Sequence, residues 1–142
     1  MKARKVKKLD PAKPLRANAA RILETRLAEM RSFAEEALSP SAAVPQHNLR
    51  IAAKRLRYVL DIVEGCFGAE APAARRATKE LQGVLGEIHD CDVMLPRAEG
   101  LEPLQALLRT RRELLHRRFR ELWKGEEAKG TWAALERALR RQ

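Results

Sequence analysis

Apolar residues recur at spacings of three and four along most of the chain, and no segment alternates convincingly with period two. That periodicity commits the backbone to amphipathic helices and argues against a sheet. Ala19, Ile22, Leu23, Leu27, Met30, Phe33 and Ala34 mark a first helix opened by Pro14, and Arg26 falls inside its stripe. "SPSAAVP" reads as a loop, after which Leu49, Ala52, Ala53, Leu56, Val59, Leu60 and Val63 mark a second helix that stops near Gly65 to Gly68. Pro72 suits the first turn of a third helix with Leu81, Val84, Leu85, Ile88 and Leu95 on its apolar face, and Pro96 closes it. "GLEP" breaks the chain again. Pro103 then starts a long helix to about Lys124 carrying Leu104, Leu107, Leu108, Leu114, Leu115, Phe119 and Leu122. "TWAALERALRR" is a short closing helix after Gly130. Short connections favour antiparallel neighbours. The expected fold is an all-α, antiparallel four-helix bundle over residues 14–142 with a short extra C-terminal helix. Residues 1–13, basic and without periodicity, are expected to form a flexible tail.

A chain of 142 residues suits one domain, and 29 Lys plus Arg against 19 Asp plus Glu leave a net charge of +10. That balance favours polyanionic partners: nucleic acid, an anionic membrane or polyphosphate. Aromatics at 4% argue against recognition of single strands by stacking. Cys66 and Cys91 are too few for a disulfide framework or an all-cysteine zinc site, and read as small packing residues in a reducing compartment. The charged start leads into no apolar signal segment, and no apolar run reaches the roughly 18 residues of a membrane span. The expected location is the cytoplasm.

The second helix carries the informative pattern. At about 100° per residue, His47, Arg50, Lys54, Arg57 and Asp61 form a stripe on roughly the opposite side from Leu49–Val63. A solvated face usually mixes signs. This one is cationic over three turns until Asp61, with Ile51, Tyr58 and Ile62 beside it, and fits the wall of a groove. Elsewhere Arg26, Arg111 and Arg118 fall among apolar residues, and an isolated buried guanidinium is too costly to be incidental. Each must meet an acid or line a wet cavity. Asp92, on an apolar face beside Asp90, is the expected acid. Asp90 and Asp92 are therefore read as structural ion-pair partners for arginines.

"HNLRIAAKRLRYVLDIVEGCFG" followed by "LQGVLGEIHDCDVMLPR" resembles the conserved histidine α-helical domain (CHAD) family. "NAARILETRLAEMRSF" looks like that family's first helix and "LLRTRRELLHRRFRELW" like its last long one, so the resemblance spans about residues 14 to 125. It implies a non-catalytic helical module whose basic groove binds inorganic polyphosphate. His47, Arg50, Lys54, Arg55 and Arg57 would be the binding row, with Arg26, Arg111 and Arg118 as further candidates. A static row of guanidinium forks and ammonium points suits a ligand that has no base edges to read. The resemblance also implies association with polyphosphate granules. A typical member has two related halves, whereas this chain holds one histidine-plus-KRLRY copy. Either one copy suffices, or two chains form a homodimer with their basic rows around a shared cavity. His89 differs from those members that have arginine there.

Rival readings start from the same residues. "HDCD", His89 to Asp92, superficially resembles metal-dependent phosphohydrolases acting on phosphorylated compounds. His89 and Asp90, however, point about 100° apart, and no second histidine cluster completes a metal shell. A nucleic-acid-binding or adaptor role rests on charge alone, without zinc-finger spacing or a convincing helix-turn-helix signature. No cofactor, no specific nucleic acid and no membrane partner is expected.

Overall fold

The computed structural model describes residues 1–141. Five α-helices follow in order: α1 (Leu15–Ala37), α2 (Ala43–Val63), α3 (Glu70–Arg97), α4 (Glu102–Lys129) and α5 (Thr131–Arg140), with one 3-10 turn, Glu64–Cys66, after α2. No strand occurs among the described residues.

The boundaries show which punctuation the backbone obeys. α2 begins at Ala43, inside the expected loop, because Pro45 lies in its first turn, where no intrahelical N–H partner is required. For the same reason α3 starts at Glu70, before Pro72. Its end runs one residue past Pro96. α4 continues beyond Lys124 to Lys129 and stops at Gly130, whose left-handed φ of 71° only a residue without Cβ adopts easily. The Gly130 N–H is donated back to the Glu127 carbonyl at 3.0 Å, and the chain turns at once into α5.

α1, α2 and α3 pack in sequence, α4 packs on α3, and α5 closes the gap against α1, α3 and α4. α2 lies between α1 and α3 and buries Leu49, Ala52, Ala53, Leu56 and Leu60 completely. The alanines on both facing helices, with Ala71 and Ala74 on α3, let backbones approach closely. Phe119 and Trp123 of α4 reach inward to Trp132 and Leu135 of α5, and the two indoles stack with centroids 5.6 Å apart. α4 has its main partner on one side only. Leu108, Leu115, Phe119 and Trp123 are buried, while Leu104, Leu107 and Leu114 face outward. On α2, Ile62 is 83% exposed and Tyr58 is exposed too, so only part of the expected apolar flank exists beside the basic row.

The inward register of α4 has a direct check. Phe119→Ala is expected to lower unfolding free energy by about 3–5 kcal/mol. Ile62→Ala on the exposed edge of α2 should stay within about 0.5 kcal/mol of the parent in the same denaturant titration.

Candidate functional site

Where α2 meets α3, the predicted basic row comes together. Burying the Leu49–Leu60 stripe turns His47, Arg50, Lys54 and Arg57 toward the flank where α2 meets α3. The row spans ten residues of helix, about 15 Å. His47 stacks on His89 of α3 with ring centroids 4.6 Å apart and planes 26° apart. Arg50 lies across α3 at Gly86, where its Nε would sit 3.6 Å from an added Cβ. Lys54 and Arg57 share the face of Tyr58, at 5.6 and 5.2 Å from the ring centroid.

Three nitrogens of this row, His47 Nδ1, Arg50 Nε and Arg57 Nε, are buried without a hydrogen-bond partner, as is Gln82 Oε1 of α3. Buried polar groups are ordinarily satisfied, so the N–H groups of Arg50 and Arg57 leave unpartnered donors on this row. The nearest carboxylate, Asp61, stands 3.9 Å from Arg57 Nε and hydrogen-bonds Arg75 instead. His47 is held below the ordinary histidine range, first by burial, then by the positive surroundings of His89, Arg50 and the N-terminal ammonium.

The remaining predicted residues go elsewhere. Arg55 projects to the opposite flank of α2, toward α1. There it and Arg26 converge on Glu29, each at 3.4 Å from Oε1. Glu29 is only 1% exposed and also accepts the Arg4 backbone N–H at 2.7 Å. Arg26 and Arg55 donate to the carbonyls of Arg4 and Met1, at 2.8 and 2.6 Å, so the N-terminal segment is laid along this seam. Arg111 pairs with Glu87 at 3.0 Å on the surface. Arg118 is exposed and has no ion pair among the described residues, and the same holds for Asp90. Asp92 meets Arg112, at 2.5 and 3.2 Å.

Four groups that sequence reasoning missed, Glu29, Arg112, Gln46 and His116, organise these contacts. Arg112 also donates to the Pro40 carbonyl at 2.9 Å and to Gln46 Oε1 at 2.7 Å, tying α2, α3, α4 and the α1–α2 loop together. Gln46 donates to the carbonyls of Ala37 and Ser39. His116, buried, has its Nε2 3.3 Å from the Ala37 carbonyl. The signal was available: Glu29 adjoins Met30 in the α1 stripe, and Arg112 lies four residues from both Leu108 and His116.

The CHAD domain profile matches residues 2–99, about two thirds of the sequence. The chain belongs to the CHAD domain family. The match takes in the whole row from His47 to Arg57 and the HDCD segment. Arg111 and Arg118, on α4, lie outside it. No curated protein and no solved structure compared with the chain matches it. Among the described residues no cluster of three or more His, Cys, Asp or Glu is arranged to hold a metal ion. No described helix is long and apolar enough to cross a membrane.

The histidines make a pH prediction for this CHAD domain. Burial also lowers His116, reinforced by Arg112 and Arg120, against a smaller opposing effect of its bond with the Ala37 carbonyl. Near pH 6.5 the unfolded chain therefore binds more protons than the folded one at both positions. Stability is full above that pH and falls as pH drops below about 6.5. Glu70, lowered by its own backbone N–H and by Arg141, adds a loss only below the ordinary glutamate range. Thermal melts on either side of pH 6.5 should show the loss, and His47→Gln should shrink it.

Proposed function

We propose that this CHAD domain binds inorganic polyphosphate along the α2–α3 face without hydrolysing it. One observation carries the reading: His47, Arg50 and Arg57 each hold a buried nitrogen without a partner on a face shared with Lys54. Polyphosphate offers an ionised oxygen on every phosphate, spaced along a flexible chain. Arginine forks donate to such oxygens at short, charge-assisted distances, and Lys54 contributes a point charge. His47 and His89 form a stacked pair at one end of the row. Protonation of His47 becomes more favourable once an anion offsets the surrounding positive charge.

The row holds ligand by the fixed charge of Arg50, Lys54 and Arg57. Asp90 and Asp92, the nearest acids of the HDCD segment, are respectively free on the surface and engaged by Arg112. Arg26 and Arg55 serve the Glu29 seam, where one carboxylate offsets one of their two charges.

Calorimetric titration with polyphosphates of defined length tests the reading. Arg50→Ala with Arg57→Ala should leave helix content intact, since neither belongs to the buried stripe. Each lost contact should cost about 1.5–3 kcal/mol, roughly a tenfold to hundredfold loss of affinity. Normal binding by the folded double variant would move the site off this face. Duplex DNA, tested as competitor at physiological salt, should displace polyphosphate poorly. Incubation with and without magnesium should release no phosphate.

A further inference from the structure

α4 carries a second apolar stripe that nothing in the fold covers. Leu104, Leu107 and Leu114 are 37%, 64% and 56% exposed, and with Arg111 they follow the spacing three, four, three of a coiled-coil seam. Leu101 in the α3–α4 turn and Met94 near the end of α3 are exposed too. Arg111 does not break the stripe with an unpaired charge. Its guanidinium is drawn aside to Glu87 at 3.0 Å, which leaves the aliphatic stem between Leu107 and Leu114. Together these side chains expose roughly 400–500 Å² of surface, within the range of about 300–600 Å² of a monomer's largest apolar patch, often a functional one. A standard interface buries about 800 Å² per partner, somewhat more than half of it apolar, and this stripe supplies about that share.

We propose that the stripe is a dimer interface: two copies of this chain pair through α4 in antiparallel, two-fold fashion. Antiparallel seams set each first heptad position against the partner's second. Leu104 of one copy then meets Leu114 of the other, and Leu107 packs on the stem of Arg111. One register satisfies all four positions, and the two-fold repeats it. The same register carries Arg118 to the α3–α4 turn of the second copy, where Glu99 is exposed. Neither Arg118 nor Glu99 has an ion pair among the described residues. The apolar seam thus ends, on both sides, in opposite charges that only the second copy brings together. These contacts must outweigh the repulsion between two chains of charge +10.

The inference is independent of the polyphosphate reading, and its test contains no polyphosphate. Sedimentation velocity of the full chain should show a species of twice 16.1 kDa appearing within roughly 1–100 µM, the weak end expected of an interface this size. Leu107→Glu should sediment as a monomer throughout that range with unchanged helix content by circular dichroism. Arg118→Glu should weaken association at least several-fold, and adding Glu99→Arg to it should restore the parent's behaviour. A parent chain that stays monomeric overturns the proposal, leaving the stripe to another partner or to none. A dimer that survives Leu107→Glu puts the interface elsewhere. A charge exchange that fails to rescue rejects the antiparallel register.

Discussion

Burial of the α2 stripe between α1 and α3 is the constraint from which the other features follow. Leu49, Leu56 and Leu60 are fully enclosed, and Ala52 and Ala53 allow neighbouring helices to come close. Once that stripe points inward, helix geometry leaves the charged residues of α2 no freedom. His47 and Arg50 lie against α3, and Arg55, on the other flank, faces α1. The KRLR segment is thereby divided. Lys54 and Arg57 join His47 and Arg50, while Arg55 crosses to Glu29. One short run of cations serves two purposes because neighbouring residues on a helix point in different directions.

Most of the architecture was legible in the sequence because apolar spacing and proline and glycine punctuation agree. The exceptions are informative. Pro45 lies inside the first turn of α2, where proline's missing N–H matters little, and α3 runs one residue past Pro96, which was expected to close it. The leucines of α4 look alike in sequence, yet Leu108 and Leu115 are core and Leu107 and Leu114 are surface. Periodicity shows that a helix has apolar faces but not how many neighbours will cover them. α4 has two such faces and its main packing partner, α3, covers one.

The cationic row itself was readable from spacing on one helix. Its partner groups, Gln82, Gly86 and His89, required the α2–α3 register. Pairing of acids with arginines was harder, because it links residues far apart in the chain. Sequence patterning pointed to internal acids near Asp90 and Asp92, whereas the most deeply buried carboxylate is Glu29. It gathers Arg26, Arg55 and the backbone of Arg4, and so holds the N-terminal segment against α1 and α2. Arg112 performs a comparable role at the other end of the bundle. Structural arginines and the open row are thus segregated: the former have their acceptors within the fold, and the latter retain buried donors without one.

That segregation is tested most directly by following the ring protons of His47 by NMR as pH is varied, with and without long-chain polyphosphate. His47 lies below the ordinary histidine range in the free domain because its surroundings are buried and positive. Polyphosphate bound along Arg50, Lys54 and Arg57 should raise its titration midpoint clearly, while His116, bonded to Ala37 on another face, keeps its own. A His47 midpoint unmoved under conditions where polyphosphate is bound would contradict the account.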